Sequence, residues 1–410
     1  MLKKTELSDN SIRWILLLVQ ALQVLFFLIY VTSVTELAPT LDDSYIHYQY
    51  SRNLAEYGEI SFNRGEWTTG TTSILWNLLL AGGMLLGLPV IGFSIALGVI
   101  LYFILAQLSY TIFREIWKEG WYPALAVFIL VFTGNVLWFA MSGMETMLFL
   151  ALGMWWIILF RNRKYAVAGL VAGALVLTRI EGMLFLLMGV LFLFRNEGWK
   201  GGLKYATIFI LCSLPFILPS VILNLTLIGK IYPNTMAGKK WLYGFGSGFF
   251  NKNPGEILVF FIAWLSTFFH TNWFPQLIDR PYTPYYALVM LITGGRKFDA
   301  LPEFSMGHHS LPALTLTIII GAVLLFILLR GLVKVVLPAV RDYFSRNKLE
   351  YRHYLVAWFI LNNGIYILLM PIRGHGGRYQ AINFIIGSLF LVAGLIFAGG
   401  RLKKYAPKIL

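Results

Sequence analysis

Apolar residues run along this chain in long, nearly uninterrupted stretches, with polar residues gathered in the short gaps between them. The first stretch, "RWILLLVQALQVLFFLIYV", is followed directly by "PTLDDSYIHYQYSRNLAEYGEISFN". Runs of about 17–25 apolar residues suffice to cross a bilayer as helices. Such runs fall near 13–34, 90–113, 122–140, 144–160, 203–228, 311–337, 353–371 and 380–399. Two shorter runs, 164–179 and 182–195, flank "TRIEG" and predict a tight helical hairpin. The pattern therefore predicts an all-α polytopic membrane protein of about ten transmembrane helices, within a range of 9–12. The segment 74–88 reads as a partly embedded helix, and 256–270 as either that or a further span. The first run exceeds the roughly 7–15 residues of a signal-peptide core, so it is expected to be retained.

The predicted organisation is one transmembrane domain over 1–410, with a first outer loop at 35–89 and a long outer loop at 229–310. Composition agrees with a membrane solvent: 58% of the residues are hydrophobic, and 13% are charged against about 25% in soluble globules. The net charge of +14 would suggest nucleic acid in a soluble protein. Here its placement explains it, because lysine and arginine favour cytoplasmic loops. Most of the 33 basic residues fall on one side of the ten-span arrangement, among them Arg13, Arg114, Arg161, Arg163, Arg195, Arg341 and Arg352. That predicts an inner plasma-membrane protein with both termini cytoplasmic, and no nucleic-acid partner. The one cysteine, Cys212, permits no intrachain disulfide.

Unusual polar residues concentrate on the predicted outer face: the first outer loop, "SGMET" (142–146), "TRIEG" (178–182), "IGKIYPNTMAGKK" (228–240) and "PIRGHGGRYQ" (371–380). In the first of these, Thr40 or Asp42 caps a predicted helix that ends near Gly58, with Ile46, Tyr50, Leu54 and Tyr57 on one face. Tyrosines at 45, 48, 50 and 57 suit a helix in the headgroup layer. Asp43 and His47 are four apart and share a face. The adjacent pair Asp42 and Asp43 either caps that helix or serves as a catalytic carboxylate with its neighbour setting the environment.

Ionisable residues at membrane depth are costly unless paired or at water. Glu145, at the start of its run, therefore needs a partner. Arg179 and Glu181 either pair with each other or meet substrate. Asn234 either contacts a sugar or initiates a turn after Pro233. Lys230, Lys239 and Lys240 run against the charge asymmetry and suit a lipid phosphate or anionic headgroups. "GHGGRY" offers His375, the forked donor Arg378, Tyr379, and glycines that permit a backbone nest. His308 and His309 lack the ligand spacing of a metal site. No cofactor is required by the sequence, and a divalent metal is possible but not indicated.

These motifs, taken together, resemble the GT-C glycosyltransferases. "DDSYIHYQYSRNLAEYGEISFN" with "TTGTTSILW" resembles the first outer loop of that superfamily. "SGMETMLF", "LTRIEGMLF", "IYPNTMAGK" and "GHGGRYQ" are similar, in the same order, to later motifs of the branch containing the mycobacterial terminal arabinofuranosyltransferase. The resemblance spans roughly 12–385. It implies an outward-facing active site using a polyprenyl-phosphate sugar donor and a hydroxyl acceptor on a cell-envelope glycan, glycolipid or protein. It also implies that Asp42 is the catalytic base, that Asp43 is its neighbour, and that Glu145 is the second-loop acid. His47, Glu145, Arg179, Glu181, Asn234, Lys239, His375, Arg378 and Tyr379 are the expected substrate-binding residues. The competing readings are a lipid-linked-sugar transporter or flippase, which predicts broken helices and a midplane site, and a non-catalytic subunit of an envelope-polymer assembly.

Overall fold

In the computed structural model of the chain, residues 8–118, 121–231, 233–235, 311–345, 349–369 and 375–405 are described. They form twelve α-helices and two short 3-10 segments, and among the described residues there is no strand beyond an isolated bridge between Ser61 and Trp67. The helices are α1 (Asp9–Val34), α2 (Ser44–Tyr57), α3 (Ile74–Leu85), α4 (Val90–Ile116), α5 (Tyr122–Val131), α6 (Gly134–Met141), α7 (Thr146–Arg161), α8 (Tyr165–Thr178), α9 (Met183–Ile228), α10 (Leu311–Phe344), α11 (Tyr351–Leu369) and α12 (Ile382–Tyr405). The 3-10 segments are Ile180–Gly182 and His375–Gln380.

Among the described residues four helices are long and apolar enough to cross a membrane, and a bent pair raises that to five. An all-helical chain with four or five such helices is compatible with a polytopic membrane protein. The ten spans read from the sequence are not all matched by helices of spanning length: α7 and α8 are shorter apolar helices, and so is α3, in the segment 74–88, which is not among the ten. At 1.5 Å per residue, the 16 residues of α7 reach only about 24 Å.

The run 122–140 is not one straight helix. It breaks into α5 and α6, bent by 55°. The break falls at "FTGN", where Thr133 turns its hydroxyl back onto the Ile129 carbonyl at 2.9 Å and Gly134 and Asn135 favour turns over helix.

A second break lies inside α9 at Gly198, whose φ of 68° is open to glycine at little cost. The ring of Phe209 lies against Gly189, and the ring of Phe194 against Gly202. Residues on either side of Gly198, at nearly matching distances from it, thus meet, so the two halves of α9 double back on each other. α8 packs on this pair, with Gly169 against the Phe209 carbonyl.

Helix pairs in lipid gain little from apolar burial alone and rely on close approach at small residues. α10 and α12 do this reciprocally: Gly331 meets the Phe390 carbonyl and Gly394 meets the Ile327 carbonyl. In the middle of the molecule Trp156 stacks on Phe160 at 4.6 Å, and Phe185 bridges Trp156 and Trp358 edge-on. At the end bearing the α1 start, Asp9 pairs with Arg114 at 3.0 Å and Arg13 donates to Gln107 and Thr111, fixing α1 to α4.

The opposite end positions the site. There α1 ends, α2 and α7 begin, α8 ends, and the His375–Gln380 segment leads into α12. α2 ends at Tyr57 with Gly58 in the left-handed region at φ 70°. Its buried face differs from the expected one: Ser44, His47, Tyr48 and Ser51 point inward with Tyr50, while Ile46 and Tyr57 are exposed. The inward tyrosine hydroxyl of Tyr48 meets Ser94 Oγ at 2.6 Å, so a polar face is buried against α4 rather than an apolar face against lipid.

Candidate functional site

A cavity of about 180 Å³ opens at this end of the helices. Its walls come from segments far apart in the chain: Asp43 and His47; Gly70 and Thr72; Met144 and Glu145; Arg179 and Glu181; Pro233 and Thr235; Arg378 and Tyr379.

Its floor is a continuous line of buried polar groups. Asn77 Nδ2 donates to Thr71 Oγ1 at 2.8 Å, which leaves Asn77 Oδ1 to accept from His47 Nδ1 at 2.7 Å. That commitment makes Nδ1 the protonated nitrogen of His47. His47 Nε2 then faces Glu145 Oε2 at 3.5 Å. The other oxygen, Glu145 Oε1, accepts from Arg179 Nη1 at 2.7 Å, and Arg179 Nη2 donates to Glu181 Oε1 at 2.8 Å. Glu181 Oε1 is also the acceptor for the Tyr366 hydroxyl. Tyr366 in turn stacks on Tyr379 at 5.3 Å and 12°. Arg179 lies 5.3 Å from the Tyr379 ring centre and 5.8 Å from that of Phe149, so its flat faces are covered as well as its edges.

The reason for this density is desolvation. An isolated charge away from water costs several kcal/mol, and about 3–5 kcal/mol is lost when one member of a buried pair is removed. Arg179 pairs with one oxygen of each of two carboxylates, and the Tyr366 hydroxyl adds a donor to Glu181, while Glu145 Oε2 is buried with no hydrogen-bond partner among the described residues. Helix ends supply the positions: Glu145 is the N-cap of α7 and Arg179 the C-cap of α8, where the chain can turn each side chain back into the cavity.

Above the floor, Asp43 and Arg378 face each other. Arg378 Nη2 donates to Asp43 Oδ2 at 2.5 Å. The Arg378 side chain is 10% exposed and that of Asp43 is 36% exposed. Burial opposes the charge on Arg378, but Tyr379, Glu145 and Asp43 more than offset it, and its pKa is raised. Arg378 Nε and Nη1 are buried with no hydrogen-bond partner among the described residues. Unpaired buried donors on a cation are costly, and they mark where an anionic or strongly accepting group fits best. Asn362 Nδ2 holds the Tyr379 carbonyl at 3.0 Å and so ties this segment to α11.

The sequence-derived residues sort as follows. Asp43, His47, Glu145, Arg179, Glu181, Arg378 and Tyr379 line one cavity. Asp42 does not: it is exposed, and its Oδ1 accepts from the Asp43 backbone N–H at 2.9 Å, while the N-cap of α2 is Asp43 rather than the expected Thr40 or Asp42, with no side-chain capping hydrogen bond. Glu145 has the partner it required, Arg179, and Arg179 and Glu181 do pair, but as part of a longer line. Asn234 is exposed, and its backbone N–H donates to Thr69 Oγ1 at 3.2 Å; its neighbours Pro233 and Thr235 line the cavity instead. Lys239, Lys240, His308 and His309 lie outside the described residues, as does the segment 256–270. His375 begins the 3-10 segment, and its backbone alone is described. No cluster of three or more histidine, cysteine, aspartate or glutamate residues fit for a metal occurs among the described residues.

Sequence reasoning missed Thr71, Asn77 and Tyr366. A signal existed for two of them: Asn77 stands in "ILWNLLL" and Tyr366 in "GIYILL", polar atoms within apolar helices that must find partners. No family model matches this chain, and no curated protein matches it.

Proposed function

We propose that this chain is an integral-membrane glycosyltransferase of the GT-C kind, moving a sugar from a polyprenyl-phosphate carrier to a hydroxyl of an envelope glycan, glycolipid or protein. In this reading the chain crosses the plasma membrane about ten times, both termini are cytoplasmic, and the cavity opens on the outer face. The observation that carries it is the juxtaposition in one small cavity of a partly exposed carboxylate, Asp43, with an arginine, Arg378, that keeps two nitrogens with no hydrogen-bond partner among the described residues. The resemblance of five motifs in order supports the same reading.

The division of labour follows from the groups. The acceptor hydroxyl is a weak nucleophile until a base takes its proton. The Asp43 carboxylate accepts that proton as the acceptor oxygen bonds to the anomeric carbon. The bond from that carbon to the phosphate oxygen breaks, and its electron pair leaves with the polyprenyl phosphate. Arg378 meets the departing negative charge with its unused donors. The floor, from Thr71 to Tyr366, fixes His47, Glu145 and Arg179 beneath the sugar and leaves Asp43 free of their charges. Asp43 rather than Asp42 is the base in this proposal, because Asp42 is turned to its own backbone. A transporter reading is less well supported: the charged groups gather at helix ends rather than at a midplane break.

The test is purified protein in lipid nanodiscs with a panel of synthetic polyprenyl-phosphate sugars and a soluble hydroxyl acceptor, read by mass spectrometry. Transfer from one donor, lost in Asp43→Asn and Arg378→Ala, supports the proposal. Absence of transfer or of donor binding across the panel overturns it.

A further inference from the structure

We propose, resting on the reading above, that the Asp43–Arg378 pair is a latch: it holds the base engaged until an anionic carrier reaches Arg378. The contact is short, 2.5 Å from Nη2 to Oδ2. It joins segments 335 residues apart, across the cavity mouth. While it stands, Asp43 Oδ2 is hydrogen-bonded to a guanidinium and its carboxylate is oriented by that contact.

The same guanidinium is the group with spare donors, since Nε and Nη1 have no partner among the described residues. A guanidinium presents two forks, and Nη2 belongs to both. Nη2 carries two N–H groups, one in each fork, so a phosphate that takes the fork Asp43 leaves open lands on the same nitrogen, beside the carboxylate. This also brings a second anion to the same cation, within contact range of the carboxylate. Like charges that share one counterion compete. Two features of the pair bias the outcome. Asp43 is the more exposed partner and can turn toward solvent, whereas Arg378 is nearly buried and is held by the ring of Tyr379, 5.4 Å from its carbon. The carboxylate is thus the side that moves. Below them, Arg179 is already engaged by Glu145 and Glu181 and is not paired with Asp43.

The consequence is order. The carrier must bind first, and its arrival releases the carboxylate that activates the acceptor. Without carrier, the carboxylate stays engaged with Arg378, and with carrier, activation coincides with a bound donor.

Binding of a synthetic polyprenyl monophosphate lacking any sugar, measured in nanodiscs for wild type and variants, tests this by sign. The latch must be broken at some expense in wild type, so Asp43→Asn binds the phosphate about three- to tenfold tighter, the worth of a partly exposed charge pair. Asp43→Ser, a second neutral replacement, does the same. Asp42→Asn removes an adjacent equal charge without the contact and shifts affinity far less. Equal or weaker binding by both Asp43 variants, with wild type binding and Arg378→Ala not, overturns the latch while leaving the phosphate role of Arg378 standing. Equal tightening in Asp42→Asn also overturns it, because then only net charge matters. If wild type and Arg378→Ala bind alike, the reading beneath fails and the latch falls with it.

Discussion

Arg179 holds Glu145 and Glu181 at the same time, through separate nitrogens, at 2.7 and 2.8 Å. One cation therefore clamps the start of α7 to the turn between α8 and α9. Removing it strands two buried carboxylates. Arg179→Met is expected to lose about 3–5 kcal/mol of stability, read as a large fall in Tm in detergent. Adding Glu145→Gln and Glu181→Gln to that variant should recover much of the loss, since neither stranded carboxylate remains. A triple variant no more stable than the single one would show that the line is not held together by charge.

Asp42 and Asp43 separate under turnover. Asp43→Asn is expected to lower the rate by about 10²–10⁴-fold, the usual range for a general base. Asp42→Asn should keep most of the wild-type rate, because its carboxylate lies outside the cavity and only accepts from the Asp43 backbone N–H. Steady-state rates for both variants, with Tm as a folding control, decide it; the opposite pattern would return the base to Asp42.

Arg378 distinguishes shape from charge. Arg378→Lys retains a cation but not a planar fork. Carrier binding should weaken in Arg378→Lys nearly as far as in Arg378→Ala. A lysine variant with wild-type affinity would reduce Arg378 to a point charge at the cavity mouth.

Sidedness is open to labelling. In a Cys212→Ser background, Arg64→Cys and Asn162→Cys both place a thiol at an exposed position. If the cavity faces outward, an impermeant thiol reagent applied to intact cells labels the first and spares the second. Labelling of the second alone would invert the arrangement.

The α10–α12 contact tests close approach. Any side chain at Gly394 meets the Ile327 carbonyl. Gly394→Leu is expected to cost about 1–3 kcal/mol or more through forced separation of the two helices, read as reduced Tm. Gly364, with open space around it, is the matched control: Gly364→Ala should change Tm little.

Apolar run length and residue type are local properties, and they suffice for much of this molecule. "RWILLLVQALQVLFFLIYV" is a helix because lipid leaves its backbone no other partner, and α1 spans it. Gly58 ends α2 because it alone tolerates the left-handed turn there. Glu145, Arg179 and Glu181 could be picked out from sequence because bare charges at membrane depth require partners.

Which partner each residue takes is not local. Arg179 reaches Glu145 across 34 positions and Arg378 reaches Asp43 across 335. Asp42 and Asp43 are the clearest case. Adjacent side chains at a helix start differ by about 100° in direction, so identical chemistry stands at both positions. Only the packing of α2 against α3 and α4, with the His375–Gln380 segment above it, decides that Asp43 enters the cavity and Asp42 turns away. The bend between α5 and α6 and the turn of the α2 tyrosines into the protein have the same origin. Sequence states which groups must be satisfied; tertiary contact decides by whom, because hydrogen bonds and ion pairs act over a few ångströms and are blind to separation along the chain.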